Sequence, residues 1–549
     1  MSRIGMDFGT TYSTISTITD DGKPRDCELN GEGKPTVVDS LVVKDKFGKL
    51  VTGPLARELV GKKNTVAYRG FKMMLAEDSS KWAERNYNEE FSPAAIVKVY
   101  IDKILAQYNT SIKAASDENI EKLVVGVPEI WFTRTKTIDC RGELKKIIES
   151  LGYISEVELV SEPVAACAFF AYNYKNITNK TFEGKILLVD YGGGTLDIAL
   201  CDVIGNGEKS DVKAIARAGA GWNFEGRLGK AGLAFIEEIV KTALVTGGVD
   251  ADTIRRDDKF YRCTYSVEQA LMAKVSEIEE NFESDTLGDL ESIEDFFYSI
   301  EYRDEEYDIT YGMLAQAYNA IIRDLLDEKL DDIIKYMNTK GIAFDASAKN
   351  FKIALVGGFC NFYLTKRQIQ EKFNIAVKDK RFQEITTTVS DSEKAITYGA
   401  ALIANDIIGF KQVAPYSLGL AAKGAEKDEY IWAIRKGDDV EYDKVKMFRT
   451  ENGTDMIFQG NYIPRIAFNF EEELEFAKAE PPLENYRGGL RLEPGKYYKF
   501  GYSLDHSMTI TLHKWIVPNI RNLDKVECEE KVVLDNIYSL MGNLMVVGG

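Results

Sequence analysis

Two lobes of alternating strands and helices, built as a duplicated half and followed by an all-β sandwich-like domain, is the architecture this sequence predicts. Three observations carry it. The first segment reads as strand, glycine turn and strand, with an aspartate closing the first strand in Asp7-Phe8-Gly9-Thr10-Thr11. About 180 residues later the same device recurs in Asp190-Tyr191-Gly192-Gly193-Gly194-Thr195. Beyond about residue 411 helical periodicity fades, and short β-rich runs alternate with turn residues.

The elements follow in order. Tyr12, Thr14, Ile15 and Ile18 complete the first hairpin. Helical stretches are expected over Ala94 to Gln107 and Gly142 to Ser150, with a buried strand at Lys122 to Val127 between them and a turn at Ser161-Glu162-Pro163 before the small pair Ala165-Ala166. Lys185 to Asp190 and Leu196 to Leu200 flank the second glycine turn. Helices are then expected over Gly232 to Leu244, Val267 to Phe282, Ala315 to Met337 and Asp391 to Asn405, with a strand at Lys352 to Val356 ending in Gly357-Gly358. The β-rich runs are Tyr430 to Ile434, Met456 to Phe458, Tyr462 to Phe470, Tyr497 to Tyr502 and Met508 to Leu512. The acidic run Glu471-Glu472-Glu473 reads as a solvated edge or turn.

Composition narrows the function. A chain of 549 residues exceeds a single core, so several domains are expected. A net charge of -18 repels polyanions, which argues against nucleic acid or an anionic membrane as the main partner. No apolar run approaches the roughly 18 residues that span a bilayer. Met1-Ser2-Arg3-Ile4 leads straight into a strand pattern without a signal sequence, and the seven cysteines are scattered without a Cys-x-x-Cys. A cytoplasmic location with reduced thiols is expected. With two histidines, His506 and His513, histidine catalysis and a histidine-rich zinc site are not expected, leaving carboxylate and magnesium chemistry.

The two hairpins suit phosphate. Glycine lets backbone N–H groups approach oxygens, threonine hydroxyls add donors, and an aspartate holds magnesium through its waters. One such turn is common; two at a half-chain spacing can clamp one polyphosphate from both sides.

Gly5 to Ser13 and Leu188 to Asp197 resemble the phosphate motifs of the DnaK-type seventy-kilodalton heat-shock chaperones, within the actin-like ATPase superfamily. Val124-Val125-Gly126-Val127-Pro128, Ser161-Glu162-Pro163-Val164-Ala165-Ala166, Leu355-Val356-Gly357-Gly358 and Ala395-Ile396-Thr397-Tyr398-Gly399-Ala400-Ala401 resemble further motifs of that family in the same order. The resemblance covers about 400 residues. It implies an actin-like, two-lobed α/β ATPase fold with ribonuclease-H-like halves: lobe I over 1–180, lobe II over 181–390, a returning helix and short linker over 391–410, and a β-rich substrate-binding domain over 411–549, whose length departs from the family in leaving no room for the expected helical lid. It implies Asp7 and Asp190 as magnesium organisers, and Gly9, Thr10, Thr11, Tyr12, Gly192, Gly193, Gly194 and Thr195 as phosphate contacts. Glu162 and Asp197 would orient the attacking water, and Lys72 would neutralise charge on the transferring phosphoryl group, with Thr195 beside it. Gly221, Glu268, Gly357, Gly358 and Phe359 would complete the nucleotide site.

Departures accompany the matches. Glu268-Gln269-Ala270-Leu271-Met272 keeps the family's glutamate but has apolar residues at both basic positions of its nucleoside clamp. Gly357-Gly358-Phe359-Cys360-Asn361 lacks the family's arginine and offers an aromatic for base stacking. Ile407-Ile408-Gly409-Phe410-Lys411 lacks the charged, leucine-rich linker. The implied function is slow ATP hydrolysis with Mg2+, coupled to an unfolded or specific client protein or peptide and to a co-chaperone or exchange factor. An actin-like assembly protein, a partner-specific reactivating factor and a nucleotide sensor are the alternatives.

Overall fold

The computed structural model describes residues 2–29, 37–75, 77–111, 119–129, 131, 140–206, 209–221, 230–283, 289–342, 350–373, 386–387, 394–411, 413–414, 417–423, 428–450, 452–460, 465–469, 478–482, 492–505, 510–522 and 525–533. The expectation for Glu471 to Glu473 lies outside them. Two compact units result, one of residues 1–130 and 143–410, the other of residues 131–142 and 411–549.

The first unit contains two sheets of the same plan. In sheet one, β1 (Ser2–Phe8) pairs antiparallel with β2 (Tyr12–Ile18), β3 (Pro24–Asp26) flanks β2, and β4 (Ile120–Val127) and β5 (Ile154–Ser161) add in parallel on the other side. Sheet two repeats this with β6 (Gly184–Tyr191), β7 (Leu196–Asn206), β8 (Lys209–Ala220), β9 (Phe351–Val356) and β10 (Thr386–Thr387). The parallel members read as near-continuous apolar runs because both of their faces are covered. Asp7 stands opposite Thr14 and Asp190 opposite Asp197, so each hairpin delivers an aspartate to the same edge of its sheet.

Between the sheets lie helix α1 (Glu162–Thr178), against sheet two, and helix α2 (Ala395–Ala404), against sheet one, packed on each other. Small residues allow the closeness. A Cβ at Gly399 would collide with the Ala165 carbonyl, one at Gly5 with the Ala401 amide, and one at Gly126 would come within 2.6 Å of Ile396. The fully buried core here, including Val124, Val164, Leu188, Ala199 and Ala400, draws on both sheets.

Several expected elements shift. The helix expected over Val267 to Phe282 is two helices, Asp258–Ala273 and Val275–Glu283, broken at Lys274, whose ammonium donates to the Phe297 carbonyl at 2.9 Å. The helix expected over Ala315 to Met337 runs from Tyr311 to Thr339 through a π-helical turn at Asn319–Arg323. A hairpin of Phe296–Tyr302 and Glu305–Thr310, unanticipated in the sequence, covers the core behind sheet two.

The second unit is β-rich. Strands Ser417–Lys423, Asp428–Ile434, Arg465–Asn469 and Lys478–Pro482 form one antiparallel sheet, with the proline-bearing strand at its edge. Tyr497–Leu504, Ile510–Val517 and Glu527–Val533 form the core of the other. The buried Tyr502 hydroxyl donates to the Gly419 carbonyl at 3.2 Å, joining the two sheets. Among the described residues, no helix follows Ala404, none is long and apolar enough to cross a membrane, and six cysteines are buried free thiols.

Gly399→Val should destabilise the protein by about 2–3 kcal/mol or more, since the added carbons meet backbone that cannot rotate away. A lower urea midpoint at unchanged slope is the expected observation.

Candidate functional site

A cavity of about 530 Å³ opens between the two sheets of the first unit, and both glycine turns line it. The first turn is held by Ser40, whose hydroxyl donates to the Gly9 carbonyl and whose N–H donates to the Thr11 carbonyl, each at 2.7 Å. A Cβ at Gly9 would collide with the Tyr12 carbonyl, so this glycine serves the turn itself. In the second turn the Gly192 N–H donates to the Thr195 carbonyl at 3.0 Å. Helix α3 (Gly232–Thr246) is anchored on that turn: the N–H groups of Gly232 and Leu233 donate to the carbonyls of Gly192 and Gly193, at 3.2 and 2.8 Å.

The two turns touch. A Cβ at Gly193 would collide with Thr11 Oγ1, and one at Gly194 with Thr10 Oγ1. The glycines therefore admit the opposing threonines, a requirement distinct from the room for phosphate that the sequence suggested. Gly357, in the left-handed region at φ +80°, has the Asp190 carboxylate lying where a side chain would be.

Four carboxylates converge on the floor. Asp7, Glu162 and Asp190 line the cavity beside Lys72; Asp197, fully buried, stands behind them. Phe71 packs between Phe8 and Tyr100, with ring centroids at 6.1 and 4.9 Å, and this fixes the short turn Phe71–Met74 that carries Lys72. Lys72 Nζ donates to Glu162 Oε1 at 2.6 Å, both side chains being buried. Burial, reinforced by the Glu162 charge and opposed by Lys72, pushes Asp7 up to about 7. Burial first and Glu162 next also hold Asp190 and Asp197 well above the usual carboxylate range, the Thr195 hydroxyl opposing this at Asp197. Asp190 Oδ2 and Asp197 Oδ2 are buried without a hydrogen-bond partner among the described residues. Such a cluster calls for positive charge. No group of three acidic, histidine or cysteine residues among the described ones is close enough to ligate a metal directly, so the donor set fits a divalent cation held through its own waters.

The opposite end of the cavity is apolar. Leu271, Met272, Val275 and Ile278 make one wall, with Met272 and Val275 still 50% and 40% exposed, and Leu233, Ile236, Phe359 and Tyr363 add to it. Phe359 is not a free stacking plate: Tyr191, Phe235 and Phe362 surround its ring at 5.1, 4.9 and 5.4 Å. Glu268 lines the cavity but is engaged by Arg69, which donates to Oε2 at 3.0 Å, and Gln269 donates to the Tyr12 hydroxyl at 3.2 Å. Gly358 also lines the cavity, whereas Gly221, at the end of β8, is outside the lining because β8 lies one strand further out than β7. Arg57, Arg69, Gly232 and Leu233 escaped the sequence reading; Arg69 adjoins the Lys72 segment, and the others carry no local signature.

The second unit holds a hydrogen-bonded chain in which Ser503 Oγ meets His513 Nε2 and His513 Nδ1 meets Glu529 Oε1, each at 2.8 Å. Ser503 lies within a paired strand, whose N–H groups serve the ladder and leave no oxyanion donors, so the chain is a polar link across three strands.

Duplicated sheets closing on one cavity through paired glycine turns define a two-lobed cleft protein. Residues 3–219 match the model of the family described as Hsp70 protein. The mitochondrial-type heat shock protein 70 of Encephalitozoon hellem is 24% identical over 490 residues, covering 83% of this chain and 73% of that protein. The chaperone protein DnaK of Metamycoplasma hominis is 30% identical over 220 residues, 39% of this chain and 32% of that one. The mitochondrial heat shock 70 kDa protein of Pisum sativum is 27% identical over 221 residues, 36% and 30% of the two chains. The last two alignments span about a third of the relatives' own length. The chain is thus similar to Hsp70 proteins, over residues 3–219 in the family match and over most of its length in the Encephalitozoon alignment.

The raised carboxylates set a pH dependence. Asp7 is protonated in the native protein up to about pH 7, while its unfolded value is 3.8, so between these values the native state binds the extra proton. Stability of the metal-free protein should then fall as pH rises through this window, by on the order of 1 kcal/mol per pH unit from this group. Added Mg2+ should flatten the slope and Asp7→Asn should remove part of it, as read from urea midpoints.

Proposed function

We propose that the chain binds a nucleoside triphosphate with Mg2+ in this cleft and hydrolyses it slowly, and that closure of the lobes is coupled to binding of a client polypeptide by the β-rich unit. The observation that carries the reading is the meeting of the two glycine turns over a buried carboxylate cluster that is short of positive charge. The match of residues 3–219 to the Hsp70 family and the chaperone names of the relatives support it.

In this reading Asp7 and Asp190 hold the waters of a magnesium ion, which would neutralise phosphate charge. Thr10, Thr11 and Thr195 donate to phosphate oxygens. Lys72 moves from its ion pair with Glu162 to the transferring phosphoryl group, freeing Glu162 and Asp197 to orient water. Arg69–Glu268 and Gln269–Tyr12 join the lobes across the cleft, so bound nucleotide favours the closed arrangement by bridging the same elements. A client would add to an exposed strand edge of the β-rich unit, with co-chaperones or exchange factors as further partners.

Steady-state hydrolysis by the wild type and Asp190→Ala, with magnesium titrated, tests the enzyme. A loss of at least about a hundredfold is expected in the variant, and equal rates would remove the claim. The apolar far wall also predicts weak base selection. Apolar surface discriminates by far less than a site that hydrogen-bonds the base edge, so competition titrations should place ADP and GDP within about tenfold of each other.

A further inference from the structure

Behind the carboxylate floor lies a second buried polar group. Glu129, just beyond the end of β4, is fully buried. Its backbone N–H donates to Asp197 Oδ1 at 2.8 Å. Its carboxylate accepts from the Ser161 hydroxyl and stands 3.1 Å from Arg217 Nη1. Arg217 is on β8, and its side chain is 6% exposed. Ser161 ends β5 and immediately precedes Glu162, the first residue of α1.

One residue thus touches Asp197 directly and reaches Glu162 through its chain neighbour. The contacts cross the lobes: β4 and β5 belong to sheet one, β7 and β8 to sheet two. Stability alone gives little reason for this arrangement, because a buried ion pair recovers no more than an apolar pair of similar volume. It does supply direction. Arg217 balances the Glu129 charge in an ion pair without a hydrogen bond, the Ser161 hydroxyl orients the Glu129 carboxylate, and the segment carrying Glu129 sets its N–H against Asp197.

We infer that Glu129, held by Arg217, is a positioning residue that fixes the Asp197 and Glu162 carboxylates relative to one another across the two lobes. The inference rests on the proposed hydrolysis, in which those carboxylates orient the attacking water. Neither Glu129 nor Arg217 lines the cavity, so nucleotide affinity is expected to stay while the chemical step slows.

The test uses the full chain and reads ADP affinity, single-turnover ATP hydrolysis and melting. E129Q alone leaves the Arg217 charge buried and uncompensated, which destabilises the fold, so the paired variant E129Q/R217Q removes both charges together. S161A removes one hydroxyl that makes no cap hydrogen bond to α1. The paired variant should bind ADP within about threefold of wild type and hydrolyse at least about tenfold more slowly, and S161A should lose about two- to fivefold in rate at unchanged affinity. Rates within twofold of wild type in both variants would overturn the inference. So would affinity and rate falling by one common factor together with a lost melting transition, which marks a purely structural pair. A wild type that binds nucleotide without hydrolysing it would overturn the proposed hydrolysis and the inference together, and is seen before any variant is made.

Discussion

Burying several carboxylates side by side is costly, and the first unit is organised around that cost. Asp7, Glu162, Asp190 and Asp197 come from four different strand ends or helix starts, yet Lys72 is the cation placed among them. Water would normally separate such charges; here burial raises three of the four toward their neutral forms. The duplicated topology makes the crowding unavoidable, because each half-sheet delivers its hairpin aspartate to the same cleft. In the proposed function a hydrated cation and a polyphosphate would meet the requirement together, the ion compensating the floor and the turns receiving the anion.

The same constraint explains the small residues. Bringing the two aspartates close requires the turns to touch, and Gly193 and Gly194 yield space to Thr11 and Thr10. The helices beneath must be equally close, and Gly399, Gly5 and Gly126 provide for that. The layer between the sheets therefore has little volume to spare. Arg69 with Glu268 and Gln269 with Tyr12 make contacts across the cleft, and the Glu129–Arg217 pair is buried behind the carboxylate floor.

Much of this was legible in the chain. The paired aspartate-and-glycine turns announced the two half-sheets because the same strand–turn–strand device recurs at a half-chain spacing, and the loss of helical periodicity announced the β-rich unit. Other features were not. The break at Lys274 carries no glycine or proline signal, and its side chain reaches the Phe297 carbonyl on a hairpin that the sequence did not announce. Phe359, read as a stacking surface, became part of an aromatic cluster whose other members are distant in sequence.

By itself, the sequence determined the duplicated α/β plan and the aspartate-and-glycine turns that close its hairpins, since these follow from local periodicity and turn chemistry. Tertiary structure decided which charges face one another. Lys72 meets Glu162 across 90 residues and Arg69 meets Glu268 across 199. Glu129, on sheet one, meets Arg217, on sheet two. The physical reason is that Coulomb and desolvation energies depend on distance and burial in space, and a one-dimensional pattern records neither.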